Sequence, residues 1–132
     1  MENDTDTPKT NRKVLCVEDE HFISELYVRA LSKEGYQVDV VADGKEALAA
    51  AEKNEYDIIL LDLMVPSLSG IEILRSLRNP ARIPPIKAKI VITTNLEQRE
   101  DVRADIEKQA DAYVVKAELT PHELVDLIDH IQ

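Results

Sequence analysis

The stretch "YDIILL" at residues 56–61 runs on without polar alternation and stops at Asp62. A strand with one wet face alternates apolar and polar residues, so this run predicts a central strand covered on both faces, as in a parallel sheet flanked by helices. Its end is as constraining as its body. A buried strand that closes on an unpaired carboxylate is costly, so Asp62 must emerge among other charged groups or beside a metal. The rest of the chain has to supply both the covering helices and the companions of Asp62.

The covering helices are legible. "KVLCV" (13–17) reads as a short buried strand ending at Glu18-Asp19-Glu20, after which Ile23, Leu26, Tyr27, Ala30 and Leu31 repeat on one helical face that Gly35 stops. "YQVDVV" (36–41) alternates and is more edge-like. Asp43 with Glu46 three residues on forms a capping box for a helix whose apolar side is Ala47, Leu48 and Ala51. A third helix covers 70–78 through Ile71, Leu74 and Leu77. The Pro-rich "NPARIPPIKAK" then leads to the strand "KIVITT" (89–94). A fourth helix is expected over about 97–109, a fifth strand at "DAYVV" (111–115), and a last helix from Thr120-Pro121-His122-Glu123, which combines a capping Thr, Pro at the first helical position and Glu at the third. Strands alternating with helices imply a parallel, doubly wound α/β sheet with right-handed crossovers.

The chain has 132 residues, enough for one domain with a proper core but not for two. Residues 1–11, polar and without the apolar run of a signal peptide, are expected to be a disordered tail preceding a single domain at 12–132. No stretch is apolar over a membrane-spanning length. The net charge of -10 repels phosphate backbones, which argues against direct nucleic-acid binding. Cys16 is the only cysteine, so no intrachain disulfide can form; a core thiol in a reducing cytoplasm is the natural reading.

In doubly wound sheets ligands sit beyond the carboxyl ends of the strands. The first strand delivers Glu18, Asp19 and Glu20 there, the third Asp62, the fourth Thr93, Thr94 and Asn95, and the fifth Lys116. This set suits a Mg²⁺ site with a phosphate acceptor. Hard oxygen ligands from Glu18, Asp19 and Asp62, with the Met64 backbone carbonyl, would hold the ion. Asp62 would be the nucleophile, with Mg²⁺ and Lys116 stabilising charge on the transferring oxygens and Thr94 bonding a phosphoryl oxygen.

These residues resemble the receiver domain of bacterial two-component response regulators. The resemblance runs from about Arg12 to Ile131 and rests on Glu18-Asp19, on "LLDLMVPSLSG" with Asp62, Pro66 and Gly70, on Thr94, and on "AYVVK" ending at Lys116. The 22-residue spacing from Thr94 to Lys116 selects Thr94 over Thr93 as the switch hydroxyl. The resemblance implies a flavodoxin-like (βα)5 fold with strand order 2-1-3-4-5. It also implies Mg²⁺ (or Mn²⁺) dependence, phosphotransfer to Asp62 from a sensor histidine kinase or phosphotransfer protein, and slow self-catalysed hydrolysis. Tyr113 matches the family's switch aromatic. The output would be a changed surface on the fourth helix, fifth strand and fifth helix, acting on a downstream protein, an attached output domain or a second copy in a phosphorylation-promoted homodimer.

The sequence departs from the family at several points. Glu18 stands where Asp is commoner, a longer arm toward the metal. Ala117 replaces the proline that carries a cis bond after the lysine, so this loop is expected to be strained or rebuilt as trans. Asn95 stands where a small residue is usual and is expected to crowd phosphate access. Gln109 stands where glycine is usual, a strain of about 1 kcal/mol if the position takes positive φ. The alternative function is therefore a degenerate receiver, binding partners without phosphorylation. An aspartyl phosphatase of the haloacid-dehalogenase type is weakened by Met64, where that chemistry needs a second Asp. A nucleotide-binding domain is disfavoured by the absence of G-x-G-x-x-G and P-loop motifs.

Overall fold

The computed structural model describes residues 12–95 and 98–131; the expected N-terminal tail lies outside them. The strands are β1 (Lys13–Val17), β2 (Gln37–Val41), β3 (Ile58–Asp62), β4 (Lys89–Thr94) and β5 (Ala112–Val115), and the helices are α1 (His21–Lys33), α2 (Gly44–Glu52), α3 (Gly70–Leu77), α4 (Glu100–Gln109) and α5 (Pro121–Ile131). All strand pairs are parallel in the order β2-β1-β3-β4-β5, the doubly wound arrangement expected.

The unbroken apolar run of β3 is buried at every position. Its period of two divides it between two cores. Ile59 and Leu61, with Leu15, Val17, Ile90 and Ile92, face residues of α2, α3 and α4, among them Ala47, Leu74 and Ile106. Ile58 and Leu60, with Val14, Cys16 and Val91, face Tyr27 and Leu31 of α1 and Leu124 and Ile128 of α5. β2, the alternating strand, lies at the sheet edge and is partly exposed.

The helix ends follow their local chemistry. Gly35 takes φ 91°, and the N–H groups of Gly35 and Tyr36 bond back to Ser32 and Leu31, a Schellman stop that the missing Cβ makes unstrained. Asp43 accepts from the N–H of Lys45 and Glu46, as its capping position predicts. Thr120 and Glu123 complete the reciprocal box: the Glu123 N–H donates to Thr120 Oγ1 (3.1 Å) and the Thr120 N–H to Glu123 Oε1 (2.9 Å).

Two expectations are corrected. α4 begins at Glu100 rather than near 97, with no side-chain cap at Arg99. Gln109 lies within α4, and among the described residues Asn54 (58°) and Ser67 (70°) are the non-glycine ones with positive φ, so the condition for strain at Gln109 is not met. Asn54 closes α2 in the left-handed conformation, a role asparagine tolerates, and its side chain accepts from the Lys87 N–H and donates to the Pro85 carbonyl. This fastens the Pro-rich connection between α3 and β4.

Candidate functional site

Parallel strands deliver their carboxyl ends to one rim, and there the structure assembles residues that are far apart in the chain. Lys116 follows β5 directly and is buried; its Nζ donates to Glu18 Oε1 (2.5 Å) and to Asp62 Oδ2 (3.0 Å). Glu18 is 2% exposed and Asp62 3%, so this is a desolvated ion cluster rather than a surface pair. The remaining carboxylate oxygens are also engaged: Glu18 Oε2 accepts from the Glu20 N–H (3.1 Å) and Asp62 Oδ1 from the Met64 N–H (3.0 Å). Asp19 is exposed beside them, and one carboxylate oxygen from each of Glu18, Asp19 and Asp62 lies within 4.8 Å of the others.

Glu18, Asp19 and Asp62 against Lys116 leave a formal charge of -2 in this cluster. Burial pushes Glu18 above its ordinary carboxylate range, with Asp62 adding to the rise and the bonds from Lys116 and Glu20 opposing it. Burial alone would lower Lys116, but its two carboxylate partners outweigh this and hold it above its ordinary value. The Glu18 rise is thus mainly a desolvation effect, whereas the Lys116 rise comes from its carboxylate neighbours. An all-oxygen donor set with this net negative charge fits a hard divalent cation, with Glu18, Asp19 and Asp62 as the groups able to hold it.

Thr94 ends β4 and is fully buried; Thr93 pairs with Asp62 in the ladder, and its carbonyl accepts from the Leu63 N–H. Tyr113 is half-buried on the α2–α4 face, its hydroxyl buried and its ring 4.4 Å from the Arg103 guanidinium carbon. The cis peptide bond among the described residues is Ile83–Pro84, so Lys116–Ala117 is trans; the chain turns there through a short 3₁₀ segment, Lys116–Glu118, and Lys116 still reaches the rim. His21, His122 and His130 are exposed, as expected. Burial pushes Cys16, directly behind the rim, up to about 12, which leaves a neutral core thiol.

Two parts of the site escaped the sequence. The reach of Glu18 is spent on Lys116, where the sequence suggested only the metal. The loop after β3 is bolted to the start of α2: the Ser67 hydroxyl donates to Asp43 Oδ1 (2.6 Å), and the Gly44 N–H to the Pro66 carbonyl (2.9 Å). A signal for this bolt existed in the capping Asp43, but nothing local pairs it with Ser67. Gly70 closes the same loop, where a Cβ would lie 2.5 Å from the Asp62 carbonyl oxygen.

The class these features define is a doubly wound α/β signalling module with a buried carboxylate at the switch of its strand order. Its fold superposes on the chemotaxis response regulator CheY4 of Vibrio cholerae with a TM-score of 0.79 at 28% identity, covering 93% of this chain and 100% of that one. The receiver domain of the sensor histidine kinase PA1611 from Pseudomonas aeruginosa PAO1, described with a magnesium ion coordinated in its active site cleft, aligns at a TM-score of 0.77 and 28% identity over 91% of this chain and 96% of that one. Residues 14–129 match the response regulator receiver domain, and the chain belongs to that family of two-component signalling domains. Among similar proteins, the response regulator ArlR of Staphylococcus saprophyticus is 38% identical over 91% of this chain and 50% of its own length, and the sensory transduction protein RegX3 of Mycolicibacterium smegmatis 36% over 90% and 48%. The chain spans about half the length of the curated relatives it matches. No described helix is long and apolar enough to cross a membrane.

Proposed function

We propose that the chain is a phospho-acceptor receiver in which Asp62 takes a phosphoryl group from a histidine kinase or phosphotransfer protein and so alters a protein-binding surface. The observation that carries this is the Asp62 carboxylate, buried at the end of β3, 3.0 Å from Lys116 Nζ and grouped with the oxygens of Glu18 and Asp19. An Asp62 oxygen attacks phosphorus; the P–N bond of a phosphohistidine donor breaks as the O–P bond forms, and the leaving imidazole takes up a proton. Lys116 supplies positive charge to the transferring oxygens from a dry, fixed position, where it is worth more than in water. Glu18, Asp19, Asp62 and the Met64 carbonyl would hold Mg²⁺ (or Mn²⁺), which when bound neutralises the carboxylate excess that otherwise repels a phosphoryl group.

Thr94 is the phosphate-sensing hydroxyl in this reading, and Tyr113 the aromatic that reports its state to the surface of α4, β5 and α5. That surface would engage a downstream protein, an attached output domain or a second copy. The bond from Lys116 to Asp62 favours this reading over a degenerate receiver, because the Ala117 departure leaves the lysine in place. The test is intact mass spectrometry after incubation with acetyl phosphate. A Mg²⁺-dependent gain of one phosphate that Asp62→Asn abolishes is expected; no gain with this donor or with a cognate kinase would overturn the reading.

A further inference from the structure

β1 and β4 are not neighbours: β3 runs between them, and Asp62 is its last residue. Yet the loops leaving β1 and β4 touch, as Asn95 Nδ2 donates to Glu20 Oε1 at 3.3 Å across 75 residues of sequence. Adjacent strands lie about 4.8 Å apart, so this contact spans roughly two strand spacings over the carboxyl end of β3. It therefore passes above the carboxyl end of β3, where Asp62 stands.

We propose that Glu20 and Asn95 form a swinging bar over Asp62 that restricts the entry of phosphodonors and water; this rests on the phospho-acceptor reading given above. The bar's ends are hinged on fixed backbone. The Glu20 N–H donates to Glu18 Oε2, and its carbonyl accepts from the N–H groups of Ile23 and Ser24 as the first bonds of α1. Asn95 follows the fully buried Thr94. Both bar residues are exposed, so each side chain can rotate into solvent without disturbing the core. The bar is a positioning device, not part of the bond-making machinery: it sets the fraction of time the acceptor is open. A single exposed hydrogen bond shifts such an equilibrium by roughly two- to tenfold, enough to govern a rate at a small cost to the fold.

The test compares labelling by acetyl phosphate at saturating Mg²⁺ in the wild type, Asn95→Ala, Glu20→Ala and Glu20→Gln, with phosphate loss followed after donor removal. Glutamine keeps an amide oxygen that can accept from Asn95 but removes the charge, so it separates a bar from simple repulsion of an anionic donor. Both alanine variants are expected to gain and lose phosphate roughly two- to tenfold faster, and Glu20→Gln to match the wild type. Equal acceleration in Glu20→Gln and Glu20→Ala would overturn the bar in favour of charge repulsion, and unchanged rates in the alanine variants would overturn it outright. In ¹⁵N-labelled protein the Asn95 side-chain amide resonances are expected to shift in Glu20→Ala and hold in Glu20→Gln; no shift in Glu20→Ala would remove the bar whatever the labelling shows. A wild type and variants that all fail to label would overturn the phospho-acceptor reading and the bar with it, whereas a labelled wild type with unaltered variants would overturn the bar alone.

Discussion

Arg78 reaches Asp111, 33 residues away, and Lys116 reaches Asp62, 54 residues away, at opposite ends of the same sheet. Arg78 is saturated. It donates to the carbonyls of Gln109 (3.1 Å), Ile86 (3.3 Å) and Ala88 (2.9 Å) and to Asp111 Oδ2 (2.9 Å), which also accepts from the Ile90 N–H. One cation meets one carboxylate, and the guanidinium fork has an acceptor in each direction. At the other end one ammonium faces a surplus of carboxylates. The balanced pair serves the fold, locking the Pro-rich connection and the α4–β5 turn to α3. The unbalanced cluster is left with charge that a ligand can neutralise, and that is where function is expected.

Breaking the unbalanced end should cost most. Lys116→Met leaves Glu18 and Asp62 buried without their cation, and a loss of about 3–5 kcal/mol in urea unfolding at neutral pH is expected. Arg78→Met should cost less, about 2–3 kcal/mol, because its partners are half-exposed and water can replace some of the bonds. If the two ends are functionally distinct, that variant should still bind Mg²⁺ with wild-type affinity by calorimetry.

Mg²⁺ itself should sharpen the contrast: at a hundredfold excess over its Kd it is expected to stabilise the wild type by about 2.7 kcal/mol, and Asp62→Asn far less at the same concentration. Thermal unfolding with and without the ion reads this directly.

The smallest effect is a pH dependence. Burial raises Glu18 in the folded state, so its contribution is favourable below its ordinary value of 4.5 and is lost as pH rises through the folded value. Glu18→Gln removes that loss while keeping an acceptor for Lys116. Its stability relative to wild type should therefore rise as pH climbs from 4.5 through the folded value of Glu18, and level off above it. A gap that is constant with pH would show that Glu18 is not the group titrating.

Much of this was legible because it is local. The unbroken β3 run, the stop at Gly35, the cap at Asp43 and the box at Thr120 depend on neighbours within a few residues, and all fall where periodicity and capping chemistry put them. The start of α4 is not legible because its first turn carries no capping side chain, and the family's glycine position does not carry over to Gln109 because this backbone keeps the residue within α4.

The sequence by itself determined which residues stand at the carboxyl ends of the strands, since strand periods and turn residues are set by short-range sterics and burial. Only the tertiary structure decided whom they meet. Glu18 and Lys116 are 98 residues apart, Glu20 and Asn95 75, and Arg78 and Asp111 33. Those meetings depend on strand order and on how far each side chain reaches across neighbouring strands, quantities that no local pattern encodes.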